Sequence, residues 1–575
     1  MKKINFTNWL IVGLLILLPI FIGSCDSIKK QKSNSSKEKE KTVTEERTSQ
    51  IDNDAQTQIQ RDMKIIPSDA LFVYELNTKR FVSKANFLQL KGELENIFKS
   101  IGVTQDEWKS VVESIETPAN VGVDLLKPMY VFIPSLDPTR DYEPSVFCVS
   151  EVTDKSKLVE HILSNSELTI QNLNDISWIY LKNTVVGAIT SNTLLVSITN
   201  DPIETFHKIL QQNDNYFATK AGKFMAKYTG DVTCILNLEA LPRKIREEAQ
   251  QELRELDDLP EIKETLSSLF HSQIVANINF EPGKISLNLH TNGLNTNILD
   301  QIFSTVQSRD LEQIPNQNIL AALAVGVNGN GIWDFYQNRI ASNQNIPTDV
   351  HQALDQFKEL FRSTNGTALA SVGLTDFSNE VEPEMLFVLP ISHSKVENMF
   401  DEQLRDLPKN FNKSGDNSHF AISNLPNYQY GRVSKPFKNA SNAASCYAYA
   451  YINLKAAIDE YINEEVGQLN SEEQRIFAEF QKLLELIDNV DLKLKKDEIS
   501  LALNLTDSSK NSLNLILSRC LTLVKVFLEN ENAGEETIDH MVHALRKAVP
   551  SAESNSYSNA YFDPYEADYH YDHFD

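Results

Sequence analysis

Residues 129–149, MYVFIPSLDPTRDYEPSVFCV, align without a gap on residues 368–388, ALASVGLTDFSNEVEPEMLFV, at an offset of 239. Asp137 falls on Asp376, Asp141 on Glu380, and Glu143-Pro144 on Glu382-Pro383. In each stretch an apolar run enters an acidic bend and a second apolar run leaves it, which is the pattern of a β-hairpin. A segment with apolar residues at helical spacing follows, 154–163 in one and 392–400 in the other. A second pair of blocks agrees. Ile285-Ser286-Leu287-Asn288-Leu289 matches Ile499-Ser500-Leu501-Ala502-Leu503, each preceded by an alternating strand and a polar turn, Pro282-Gly283 or Lys496-Asp497. Strands ending in asparagine recur at Asn77, Asn237, Asn328 and Asn453. An Asn at the start of a helix accepts from its free N–H groups, so these positions are expected to be N-caps. Residues 243–269 and 456–487 read as helical.

Repetition of this kind predicts an α+β fold made of two tandem copies of a sheet-plus-helices module, at 65–310 and 311–530. Each copy is expected to be mostly antiparallel hairpins with helices on one face. A terminal helix is expected within 531–550, carrying His540 and His543 three residues apart on what reads as solvent surface. The last stretch, 551–575, has six Asp or Glu, seven Tyr or Phe and no Lys or Arg. It is too polar to fold alone and reads as a disordered acidic aromatic tail, with docking or weak metal binding as its conceivable uses.

The 575 residues suffice for roughly three or four folding units at ~100 to 200 residues each. With 41% apolar and 23% charged residues the composition is that of a globular protein. Its 54 Lys plus Arg against 79 Asp plus Glu leave a formal charge of −25. A broad nucleic-acid surface needs clustered positive charge, so no nucleic-acid partner is expected. The sequence holds no HExxH, GxSxG, P-loop or dinucleotide fingerprint. Asn328-Gly329-Asn330-Gly331 reads as a tight turn before a helix. Cys148, Cys234, Cys446 and Cys520 sit in apolar stretches with no Cys two or three residues away, so buried free thiols are expected in place of a zinc knuckle or redox pair.

At the N-terminus, Met1-Lys2-Lys3 precedes an apolar stretch from Trp9 to Ile22 that ends Ile22-Gly23-Ser24-Cys25. A positive start, a 14-residue apolar run and small residues before a cleavage point make a secretory signal, 1–24. The Cys after Ile-Gly-Ser resembles the bacterial lipobox. That resemblance implies lipidation at Cys25 and anchoring by several acyl chains, each buried methylene contributing about 0.8 kcal/mol. Residues 25–64 carry hardly any apolar side chain and read as a disordered tether. Behind this signal, Ile66-Pro67-Ser68-Asp69-Ala70 and a strand ending Leu76-Asn77 open the body. Together they resemble lipoproteins of Bacteroidota classed as a domain of unknown function. The second copy keeps Ile314-Pro315 but has Asn316-Gln317-Asn318 in place of the remainder. The resemblance implies a cell-envelope address and a fold, and carries over no catalytic residue.

The one constellation with chemical potential is the pair of acidic loops, Asp137, Asp141, Glu143 and Asp376, Glu380, Glu382. Three carboxylates within seven residues can hold a hard cation, yet the spacing lacks the Gly and ligand periodicity of a calcium loop and reads as a solvated bend. No catalytic, metal or cofactor site is therefore assigned. The expectation is a non-catalytic, lipid-anchored envelope protein with a binding or structural role, most plausibly on the outer membrane. Its partners would be the membrane, through the lipid, and an envelope protein or glycan. The alternative is an exported hydrolase with an acidic site between the copies, Glu143 or Glu382 serving as acid or base.

Overall fold

The computed structural model describes residues 65–529 apart from 101–104, 118–119, 137–143, 164–167, 257–259, 317–318, 338–357, 374–382, 457–470 and the single positions 125, 135, 198, 200, 213 and 406. Eighteen strands and fifteen α-helices lie within them. The strands are β1 (Phe72–Leu76), β2 (Met129–Ile133), β3 (Phe147–Glu151), β4 (Leu168–Leu173), β5 (Ile176–Leu181), β6 (Thr184–Ile189), β7 (Thr193–Ser197), β8 (Val232–Asn237) and β9 (Gln273–Glu281). They continue as β10 (Lys284–Asn292), β11 (Ile319–Asn328), β12 (Asn365–Gly373), β13 (Met385–Leu389), β14 (Asn412–Gly415), β15 (Phe420–Ser423), β16 (Ala448–Ile452), β17 (Ile487–Leu494) and β18 (Glu498–Leu505).

All eighteen join one sheet in which every pairing is antiparallel. From edge to edge the pairings give β4-β5-β6-β7-β3-β2-β1-β8-β9-β10-β18-β17-β16-β11-β12-β13-β15-β14.

Two modules in tandem are the expectation, and the structure corrects it. One sheet runs through the whole body, because β10 of the first supposed copy is paired with β18 of the second, from Lys284 opposite Asn504 to His290 opposite Glu498. The blocks that suggested repetition are the facing residues of that pair: Ile285 lies opposite Leu503, and Leu289 opposite Ile499. Neighbouring strands that share both faces of a sheet need the same alternation of side chains. The hairpins β2–β3 and β12–β13 form as expected.

Helices on one face are also not what forms. Val73, Ile235 and Val275 lie opposite one another on β1, β8 and β9 and share a face. The helices Ile203–Leu210 and Lys220–Lys227 cover that face with Phe206, Ile209, Ala221 and Met225. Phe280, five residues after Val275, points the other way, where Phe81 of the helix Thr78–Ala85 meets it edge-on at 6.0 Å. The helix Ser512–Glu529 packs against β9 and β10 as well. Central strands with apolar residues at successive positions, such as Ile274, Val275 and Ala276, need cover on both sides.

Open sheets beyond about ten strands usually curl or split, and here the buried side chains gather in separate clusters. One centres on Phe132, Phe147, Trp178 and Phe206, with Phe132 stacked on Phe147 at 5.7 Å and Phe206 edge-on to Phe147 at 5.3 Å. Another holds Ala322, Ala324, Leu369, Val388 and Tyr449. Between them the β9–β10–β18 seam is polar: Asn288 donates to Asn277 (3.1 Å) and accepts from Ser500 (2.7 Å). On the opposite face an apolar row crosses the sheet, with Leu501 beside Leu492, then Ala450, Leu323, Ala370 and Phe387. Its four large side chains are exposed.

Three of the four asparagines cap as expected. Asn77 accepts from Arg80 N, Asn328 from Gly331 N and Asn453 from Ala456 N, all at 3.1 Å. Asn237 does not, because a 3₁₀ turn, Leu238–Ala240, intervenes before the helix that begins at Arg243; its amide donates to Ala70 O instead. The four cysteines are free thiols, Cys148 and Cys446 fully buried and Cys234 and Cys520 partly so. Burial pushes the Cys148 thiol up to about 12.

Candidate functional site

At the β14 edge of the sheet an open cavity of about 800 Å³ is lined almost wholly by polar side chains. Three pieces of chain build it. The first is the β14–β15 hairpin, whose turn Asp416–His419 is locked by one carboxylate. Asp416 Oδ1 accepts from Ser418 N (2.7 Å), Ser418 Oγ (2.9 Å) and His419 N (2.8 Å). Burial pushes the pKa of this carboxyl up, but these hydrogen bonds and the nearby His419 outweigh it and hold it below the usual range. Glycine is required just before the turn: a Cβ on Gly415 would lie 2.3 Å from the His419 carbonyl oxygen.

The second piece is the start of the helix His393–Arg405, fastened to the turn by His393 N donating to Asp416 O at 3.0 Å. His393 and Ser394 face the cavity from there. The third is the loop 424–432. Asn424 ties it to β13 by accepting from Met385 N (2.5 Å) and donating to Pro383 O (2.8 Å). Tyr430 N donates to Ser414 Oγ at 3.2 Å, which closes the loop over β14. Asn427, at φ 57°, supplies the left-handed residue that the loop needs.

His419 lies beneath the cavity floor. Its ring stacks on Tyr430 with centroids 4.8 Å apart, Ser418 Oγ is 2.9 Å from Nδ1, and buried Asp310 is 3.9 Å from Nε2. Tyr428 is buried and its hydroxyl has no hydrogen-bond partner. Burial raises the pKa of Tyr428 and of Tyr430, so both phenols stay neutral donors at physiological pH. Lys413 and Arg432 line the cavity with no carboxylate in ion-pair range among the described residues. The arrangement can donate and accept hydrogen bonds, attract an anion and offer an aromatic plate.

Cys25, Asp137, Asp141, Glu143, Asp376, Glu380, Glu382, His540 and His543 lie outside the described residues, as do the tether and the tail. Among the described residues, no group of three or more His, Cys, Asp or Glu is placed to hold a metal ion. Sequence reasoning missed the cavity. The available signal was the run NKSGDNSH at 412–419, whose Gly, Asn, Asp and Ser announce a turn and nothing about what faces it.

Fold and site together define the class: an α+β protein on one antiparallel sheet, with an open polar cleft at one edge. A family model described as "Domain of unknown function (DUF4836)" matches residues 63–418, and the chain belongs to that family. The match takes in His393 and Asn412 and stops before Tyr428, Tyr430 and Arg432. No curated protein and no solved structure matches the chain.

Proposed function

We propose that this chain is a non-catalytic, lipid-anchored cell-envelope protein that binds a polar partner in the cleft at the β14 edge. The observation that carries the binding role is the cavity itself, where Lys413, Arg432, Asn412, Asn417 and Asn427 converge with no carboxylate in ion-pair range among the described residues. The lipobox-like Ile22-Gly23-Ser24-Cys25 and the tether to residue 64 support the envelope address, as does the resemblance to Bacteroidota lipoproteins. Among the described residues no helix is long and apolar enough to cross a membrane; in this reading the attachment is the lipid at Cys25.

Two measurements test the proposal. Cys25→Ser should move the protein from the membrane fraction to the soluble one, and unchanged fractionation would refute the lipid anchor. In pull-downs from native envelopes, the charge-reversed variant Lys413→Glu/Arg432→Glu should lose what the wild type retains. Equal recovery by both would refute binding at the cleft.

A further inference from the structure

We infer that the cleft takes an acidic polysaccharide, a glycan strand bearing carboxylates; this rests on the binding role proposed above. Charge comes first. In a chain of net charge −25, the cavity presents two cations, Lys413 and Arg432, with no carboxylate in ion-pair range among the described residues, while its carboxylate, Asp416, has its Oδ1 occupied by three protein donors. A local cationic spot on an acidic protein draws an anionic group and gives a neutral one no comparable attraction. Arg432 is held by Nη1 donating to Gln429 Oε1 at 3.1 Å, which leaves its remaining donors for a carboxylate.

Hydroxyl recognition comes second. The side chains of Asn412, Asn417 and Asn427 line the cavity with no protein partner among the described residues. Each amide offers two donors and an acceptor, a set suited to neighbouring hydroxyls on a sugar ring. Tyr428 lines the cavity beside them, its ring buried and its hydroxyl turned inward without a hydrogen-bond partner among the described residues. Tyr430 adds an aromatic plate made rigid by His419 behind it, against which the C–H face of a sugar packs.

Shape comes third. Pockets for small apolar ligands are enclosed and mostly hydrophobic. This cleft is open and polar, and it runs along β14, which among the described residues pairs with β15 alone and forms the sheet's edge. An extended hydrophilic strand fits such a site.

The test is titration of the full-length protein in mild detergent with polygalacturonate, with neutral dextran and a single-stranded oligonucleotide as comparisons. Polygalacturonate should bind, dextran at least tenfold more weakly, and the oligonucleotide no better than dextran. Lys413→Glu/Arg432→Glu should weaken polygalacturonate at least tenfold with the thermal midpoint unchanged, and Tyr430→Ala should weaken it likewise while the chain still unfolds cooperatively. Lys182→Glu, in the β5–β6 turn, should change nothing. Failure of the wild type to bind, equal binding of dextran or oligonucleotide, or affinity indifferent to the cleft variants would overturn the proposal. If envelope pull-downs still depend on Lys413 and Arg432 while polygalacturonate fails, the ligand class is wrong and the binding role stands.

Discussion

Glu75 shows what one buried carboxyl does to a sheet. It lies on β1, 4% exposed, on the same face as core residue Val73, with Tyr130 and Thr233 opposite it on the flanking strands. Burial pushes its pKa up from 4.5 to about 7, against the pull of Arg80. A folded-state pKa above the unfolded one means that the folded chain holds the proton more tightly. Stability from this group is therefore complete below pH 4.5 and is lost as pH rises through 7, by about 3 kcal/mol in all. Glu75→Gln should match the wild type near pH 4 and exceed its thermal midpoint at pH 8; parallel pH profiles would clear Glu75 of the effect. A second buried carboxylate is paired through one of its oxygens, Oδ2. Asp231 is fully buried, pairs with Lys84 at 2.6 Å and accepts from Phe280 N at 2.7 Å, which fixes the helix Thr78–Ala85 to β9. Neither environment is legible in the sequence, where Glu75 is one acidic residue in an alternating strand.

At the scale of elements, the seam between β10 and β18 decides how the body holds together. Its Asn277–Asn288–Ser500 ladder requires one register, since a shift by one residue would turn the polar set to the opposite face. Asn288→Leu would leave the Ser500 hydroxyl without its acceptor and Asn277 without one of its donors. The expected cost is about 1 to 3 kcal/mol, read as a lower urea midpoint with unchanged slope; an unchanged midpoint would mean that the ladder contributes no stability. Hairpins and caps were largely visible beforehand. Asn77, Asn328 and Asn453 at helix starts act through bonds to residues three positions on, and Gly283, at φ 65°, supplies the left-handed residue of the β9–β10 bend. Asn237 departed from that pattern because a 3₁₀ turn, itself short and weakly encoded, displaced the helix start.

For the whole molecule, continuity of the sheet is the governing property. A chain cut after residue 310 would strip β10 of β18 and expose seven residues of unpaired, apolar-faced edge. Such an edge pairs with other chains, so fragment 65–310 is expected to associate or precipitate in size-exclusion runs, and a soluble monomer would contradict this account. The same continuity carries β14 to the edge where the polar cleft opens. The sequence by itself marked β1–β3, β8–β13 and β16–β18, the β9–β10 and β17–β18 turns, three of the four asparagine caps and the candidate lipid site at Cys25, because each follows from residue types and spacings within a short window; β4–β7, β14 and β15 were not read from it. Tertiary structure alone decided that β10 meets β18, that helices cover both faces, and that His393, Asn412, Tyr428 and Arg432 share one cavity. Strand pairings such as Asn288 with Ser500 span 212 residues, and several partners satisfy the same period-two alternation, so packing of the whole chain has to choose among them.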